Sequence, residues 1–219
     1  MGIPERKERH RVEMRRLILG VAEELFAQEG FGNVSMRKIA EKIEYSPTTI
    51  YRLFRNKAEI MDHLIAEGYR GVYARYEKVL AEPKRSPRAT LARVIEEYVD
   101  FALEHPNHYQ LWFTSGELRL EDGRLEMRHG TSSYTVYGTW LQLIDECKER
   151  GELPDRETLA LFQLIWGCVH GLISLRIHYP EFPWLGAAQH VDAMLALMQD
   201  GLTPHTPEVP GAGGSIRVL

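Results

Sequence analysis

The stretch SMRKIAEKIEYSPTTIYRLF, Ser35 to Phe54 of a 219-residue chain, decides the fold. Met36, Ile39, Ala40 and Ile43 recur at helical spacing, which predicts a short helix with one apolar face. Glu44-Tyr45 forms the centre of a turn. Ser46-Pro47 then opens a second helix, with serine at the N-cap and proline at the first helical position. Two short helices around a tight turn give the helix-turn-helix outline. At about 100° per residue, Ile50 and Phe54 fall within about 80° of Ser46 and form the inward side. Thr48, Thr49, Tyr51 and Arg52 point the other way, with no acid among them. Such a face suits a major groove: threonines meet thymine methyls or base edges, Arg52 a guanine edge or phosphate, Tyr51 a phosphate. The helix starts at Ser35 and Ser46 present backbone N–H groups to phosphate. Lys57, just beyond, and Arg37 are candidates for further phosphate contacts.

Outward from this segment the helical period continues and strand signals are scarce. Leu17, Ile18, Val21, Ala22, Leu25 and Phe26 make the apolar face of a preceding helix that ends at Gly30. Asn56-Lys57-Ala58-Glu59 reads as a capping box opening a fourth helix to about Leu80. A fifth runs from Pro87 to Glu104, stopping before Pro106. A sixth covers Asn107 to Ser115. A charged loop is expected over 116–129, then helices over Thr131–Arg150, Arg156–His178 and Trp184–Asp200. The expected fold is all-α, with about nine helices. Its expected parts are a basic arm over 1–14, a DNA-binding head over 15–60, a ligand-binding and dimerisation body over 61–202, and a disordered Pro/Gly-rich tail over 203–219.

Charge is divided unevenly. Residues 1–60 carry 12 Lys+Arg against 9 Asp+Glu, whereas the remainder carries 15 against 22. A basic head on an acidic body aims the head at a polyanion. Arg6, Lys7, Arg9, Arg11, Arg15 and Arg16 could extend that head, although Glu5, Glu8 and Glu13 alternate with them. The two cysteines, Cys147 and Cys168, form no C-x-x-C pair, which fits a reducing cytoplasm. The N-terminus lacks an apolar signal segment, and no uninterrupted apolar run reaches the roughly 18 residues of a membrane span. A cytoplasmic location without a membrane partner is expected. No zincin, P-loop, nucleophile-elbow or dinucleotide motif occurs, so neither catalysis, a metal nor a cofactor is expected.

The body offers two further readings. The helix over 158–177 is apolar nearly all round, so burial on several sides is expected. Gly167 and Gly171, four residues apart, would let another helix approach closely. With Val191, Met194, Leu195 and Met198 on the last helix, two copies would build a four-helix interface; an intrachain core is the alternative. Phe101, Tyr109, Trp112, Phe113, Tyr137, Trp140, Trp166 and His170 are candidates for a pocket taking a small apolar effector with one or two hydrogen bonds. Simple core packing is the alternative for those too.

The segments Ile18–Phe26, Glu29-Gly-Phe31, Ser35–Ala40, Tyr45–Tyr51 and Phe54-x-x-Lys57 together resemble the N-terminal domain of the tetracycline-repressor (TetR) family. Trp166-Gly167-x-x-His170-Gly171-Leu172 resembles a signature of one subgroup. The resemblance implies an all-α homodimer, usually a repressor released from a double-stranded DNA operator by a small molecule. It also implies DNA contacts at Ser35, Ser46, Thr48, Thr49, Tyr51, Arg52 and Lys57. Two positions depart from the pattern. Glu44 and Thr48 stand where glycine is frequent, so the turn would need a left-handed glutamate and no operator sequence carries over. Activation instead of repression, and a dimeric binding module without DNA binding, remain open.

Overall fold

The computed structural model describes residues 3–83, 85–114, 120–121, 124–125 and 132–201, with side chains over 5–83, 85–112 and 135–200. The elements run α1 (Ile3–Glu29), a 3-10 turn (Phe31–Asn33), α2 (Met36–Lys42), α3 (Pro47–Tyr51), α4 (Lys57–Leu80), α5 (Pro87–Glu104) and α6 (Pro106–Thr114). Two-residue strands β1 (Leu120–Glu121) and β2 (Arg124–Leu125) follow, then α7 (Ser132–Glu149), α8 (Thr158–His178) and α9 (Ala187–Gly201). The all-α expectation holds, with nine α-helices among the described residues. The expected tail beyond Thr203 lies outside them.

The helix limits follow local chemistry. Ser35 Oγ accepts the Lys38 N–H and caps α2, while Asn56 Oδ1 accepts the Glu59 N–H and caps α4. The capping box at α4 is altered: Glu59 accepts the backbone N–H of Arg55 at 2.7 Å, one residue before the cap. Serine 86 caps α5, with Pro87 at its first position. The α2 end is a Schellman motif, in which Tyr45 N–H bonds Ala40 C=O at 3.0 Å and Glu44 N–H bonds Glu41 C=O at 3.2 Å. The α7 end repeats it through Gly151 and Glu152. In these two motifs the left-handed residue is Glu44 (φ 59°) and Gly151 (φ 70°) respectively.

Three boundaries differ from the sequence expectation. First, α1 begins at Ile3, so the stretch read as an arm is its first three turns. Arg, Lys and Glu are good helix formers, and Glu8 pairs with Arg11 one turn on at 2.9 Å. Second, α9 begins at Ala187, because Pro183 and Gly186 interrupt the pattern after α8. Third, the stretch expected as a loop after α6 contains the antiparallel pairing Leu120↔Leu125 and Glu121↔Arg124.

One continuous apolar core runs from Met14 in α1 to Met198 in α9. Helix α4, about 36 Å long, carries that core from head to body. Its Ile60, Met61 and Leu64 are buried near the head, and Tyr69, Val72, Tyr76 and Val79 in the body. The expected boundary at 60/61 therefore falls inside one helix. Helix α5 is packed between α4, α7, α8 and α9.

Helix α8 departs most from expectation. It is long and apolar enough to cross a membrane by length and composition, with mean hydropathy 1.6. Yet only one side is covered: Leu161, Phe162, Ile165, Val169 and Ile173 are buried, while Leu159, Leu164, Gly167, Cys168, Gly171 and Leu175 are exposed. Among the described residues, burial of α8 on several sides is not met.

Candidate nucleic-acid interface and effector site

The head projects the expected face. Ile50 and Phe54 are buried at 0% and 1% exposure, whereas Thr48, Tyr51 and Arg52 are exposed and Thr49 is half-buried. Regular helix ends at Tyr51. The Arg52 N–H still bonds Thr48 C=O at 3.2 Å, and Phe54 N–H bonds Ile50 C=O at 2.9 Å. The turn therefore persists far enough to hold Arg52 outward and Phe54 inward. Among the described residues, Arg52 and Tyr51 make no side-chain hydrogen bond or ion pair. Ser35 is an exposed cap. Ser46 has cap geometry but makes no cap bond; its hydroxyl meets Thr49 Oγ1 at 3.1 Å. Arg37 lies exposed beside Glu41 at 2.9 Å, a surface pair that adds little stability.

Lys57 has another role within the chain. Its ammonium donates to the carbonyls of Phe31 at 2.6 Å and Val34 at 2.9 Å, and lies 4.4 Å from the Phe31 ring centre. It ties the start of α4 to the turn after α1. Arg15 does similar work: it donates to Leu53 C=O at 2.8 Å and to His63 Nε2 at 3.0 Å, and covers the Phe54 ring at 4.3 Å. Sequence reasoning missed Arg15 as a brace for the recognition turn. A second missed pair joins Lys38 of α2 to Glu29 of α1. Such long-range partners leave no local spacing signal.

In the body, seven of the eight expected pocket residues come together, while the Phe113 side chain lies outside the described residues. Trp112 stacks between Tyr69 (4.7 Å, 13° between planes) and Phe101 (6.0 Å, 10°). This stack lies flat on α4 because Gly68 and Gly71 have no side chain. A Cβ at Gly68 would stand 2.8 Å from His108, and one at Gly71 only 2.6 Å from Phe101. Trp140 meets Tyr98 edge-on and donates its indole N–H to Tyr76 Oη at 2.8 Å. The rings pack against one another as core. A cleft of about 680 Å³ lies nearby, between α4, α5 and α7, but Tyr73, Thr139, Gln142 and Arg150 line it, and none of the seven does.

Several phenols and an imidazole meet inside this core. Tyr69 Oη lies 3.3 Å from Tyr137 Oη. Around His170, Nε2 meets Tyr98 Oη at 3.3 Å and Nδ1 meets Tyr109 Oη at 3.1 Å. Tyr109 also donates to the His170 carbonyl at 3.3 Å. That donation leaves Tyr109 oxygen to accept from Nδ1–H, so Nε2 is the acceptor for Tyr98. Burial pushes the imidazole down to about 4, so His170 is neutral at pH 7. Burial likewise raises the Tyr98 and Tyr109 phenols, which keep their protons. Trp166 stands edge-on to His170 at 4.9 Å, and its indole N–H is buried with no acceptor. Leaving a buried donor unsatisfied costs roughly 1–3 kcal/mol.

The face of α8 that remains open continues onto α9. Leu164, Cys168, Leu172, Met194 and Leu197 border a groove of about 420 Å³, and Leu197 is 72% exposed. Among the described residues, no atom beyond α8's own backbone lies within 4 Å of a Cβ built at Gly167 or Gly171. Neither glycine serves a contact with the other described elements.

Comparison with known proteins agrees with this geometry. Residues 18–64 match the model for bacterial regulatory proteins of the tetR family, and residues 91–202 match that of a tetracyclin repressor-like C-terminal domain. The chain is 33% identical over 89 residues to the probable HTH-type transcriptional regulator YttP of Bacillus subtilis, a match spanning 40% of this chain and 41% of that protein. It is 28% identical over 162 residues to the fatty acid metabolism regulator protein of the same organism, spanning 72% of this chain and 80% of that one. The TetR family regulator PfmR of Thermus thermophilus shares the fold at TM-score 0.66 with 20% identity, over 85% of this chain and 98% of that chain.

Proposed function

Because the chain belongs to the TetR family of bacterial regulatory proteins, we propose that it is a cytoplasmic, homodimeric repressor that leaves its DNA operator when a small apolar molecule binds the body. The observation that carries this reading is the outward Thr48, Tyr51 and Arg52 face, held in place by buried Ile50 and Phe54. The proposed contacts are base edges for Thr48, Thr49 and Arg52, and phosphates for Tyr51, Arg37 and the helix starts at Ser35 and Ser46. Lys57 adds its charge while bracing the turn. A second copy is the proposed cover for the open α8 and α9 face. Two-fold pairing would set two recognition helices about 34–36 Å apart, or a multiple, to meet successive major grooves.

The effector is proposed to act in the aromatic cluster. Trp112 and Tyr109 lie on α6, which packs on both α1 and α4, so a shift there reaches the head. A ligand can drive that shift only by binding the two states unequally. The curated relative named for fatty acid metabolism supports an apolar class of effector. The chain is proposed as a binder and not a catalyst.

The test is operator selection from genomic fragments, followed by titration of the selected duplex with Arg52→Ala and Tyr51→Ala. Each substitution should weaken binding at least tenfold, equivalent to about 1.4 kcal/mol, while circular dichroism and Tm stay at parent values. Parent-like affinity in both variants would overturn the site.

A further inference from the structure

We propose that the first three turns of α1 form a second DNA contact, in which Lys7 and Arg11 continue a basic row from Arg15 onto the sugar-phosphate backbone beside the recognition turn. This rests on the DNA-binding reading above and adds a contact which that reading does not include. Three observations carry it.

The first is protrusion. Helix α1 begins at Ile3, yet every residue from Glu5 to Glu13 is exposed, and the first buried side chain is Met14. The helix therefore runs beyond the head as a preformed rod. A contact made through it loses less conformational freedom than one made by an unfolded arm. The second is where the rod is rooted. Arg15 donates to Leu53 C=O at 2.8 Å and covers the Phe54 ring at 4.3 Å. Leu53 follows Arg52, so the root stands at the end of the recognition turn. The third is the row itself. At about 100° per residue, Lys7, Arg11 and Arg15 fall within about 80° of one another, on the side of α1 that Met14 and Ile18 bury in the head. From Arg15 the row extends about 12 Å. The major groove is about 12 Å wide, so a row of this length reaches from the recognition turn to the phosphates at the groove edge.

The chemistry suits phosphate. Lys7 makes no hydrogen bond or ion pair among the described residues. Arg11 donates to Glu8 at 2.9 and 3.0 Å, an exposed pair of little net worth that a phosphate can replace. Glu8 is the one acid on this side; Glu5 and Glu13 lie round the helix from the row. Arg6 and Arg9 also point away from it.

The test is titration of the selected operator duplex over a range of salt, with hydroxyl-radical footprinting of the same complexes. In Lys7→Ala, Arg11→Ala both lost side chains are exposed and alanine keeps the helix, so Tm should stay at the parent value. Affinity at 0.15 M salt should fall at least tenfold. The salt slope should become shallower by about 1.8 per head, from two phosphate contacts at about 0.9 each. Backbone protection should shrink by roughly three to four nucleotides per half-site, from about 12 Å at about 3.4 Å per step. Arg6→Ala, Arg9→Ala removes the same charge from the other sides of the rod. It should change the slope less than half as much and leave the footprint whole. An equal effect from both pairs would reduce the arm to general charge and overturn the contact. So would a parent-like slope and footprint in Lys7→Ala, Arg11→Ala. If Arg52→Ala still abolishes binding in that case, the recognition face stands without the arm. The expected arm result beside parent-like Arg52→Ala and Tyr51→Ala keeps the arm and removes the recognition face. A parent that binds no operator overturns both.

Discussion

Glu44 turns the chain from α2 into α3 with φ 59°, a conformation in which an L-residue loses roughly 1–2 kcal/mol. Its N–H and that of Tyr45 close the Schellman motif, so the conformation is imposed by the end of α2. Glu44→Gly should therefore stabilise the protein by about 0.5–1 kcal/mol, after glycine's greater freedom in the unfolded chain is discounted. That is a rise of roughly 1–4 °C in Tm; an unchanged or lower Tm would show that the turn is unstrained. His170 gives a pH dependence. Unfolded, it titrates near 6.5; folded, burial holds it at about 4. Between these values the unfolded chain takes up a proton that the folded chain refuses. Its contribution is thus complete above about pH 6.5 and is lost as pH falls towards 4, by about 3 kcal/mol in all. In His170→Gln the Tm difference between pH 7 and pH 4.5 should be smaller than in the parent; an equal difference would place the acid sensitivity elsewhere. Glu44 was legible because its departure from glycine stands at a known turn. The His170 partners were not, since Tyr98 and Tyr109 lie 72 and 61 residues away in the chain.

Elements were legible to the extent that their signals are local. Serine, asparagine and proline at helix starts placed α2, α4 and α5 closely, because a cap acts within one turn. The start of α9 moved because Trp184 and Leu185 look helical by pattern while Pro183 and Gly186 interrupt the backbone. Helix α8 shows where periodicity stops informing. Its composition states that both sides seek cover, and it cannot state whether the cover comes from the same chain. One side is packed in the core; the other, with Gly167 and Gly171, is exposed, with no described side chain against the two glycines. Gly171→Leu separates these roles. Leucine is the better helix former by up to about 1 kcal/mol, and among the described residues nothing lies within 4 Å of a Cβ there. The monomer fold should therefore keep its helical signal, while the larger side chain blocks close approach of a second α8. The proportion of dimer in sedimentation should drop at least tenfold; a fully dimeric Gly171→Leu would take these glycines out of the interface.

At the scale of the whole molecule, pairing and DNA recognition are one question, because each head offers a recognition turn of only a few exposed residues. A single such face neutralises few phosphates, and each phosphate contact contributes a slope of about −0.9 to the dependence of log affinity on log salt. Two heads on one duplex double that slope and add their contacts within a single binding event. The open α8 and α9 face is therefore the lever for testing the assembly. Leu164 and Leu197 stand on its two helices, 48% and 72% exposed, beyond the intrachain core. Aspartate at both positions places four like charges across a two-fold interface and leaves the monomer's buried residues untouched. The double variant Leu164→Asp, Leu197→Asp should sediment as a folded monomer. Its operator affinity should fall at least a hundredfold, and its salt slope should drop to about half that of the parent, although Thr48, Tyr51 and Arg52 are unaltered. A monomeric variant retaining parent affinity and slope would mean that one head suffices for binding. The two-fold arrangement would then lose its part in recognition.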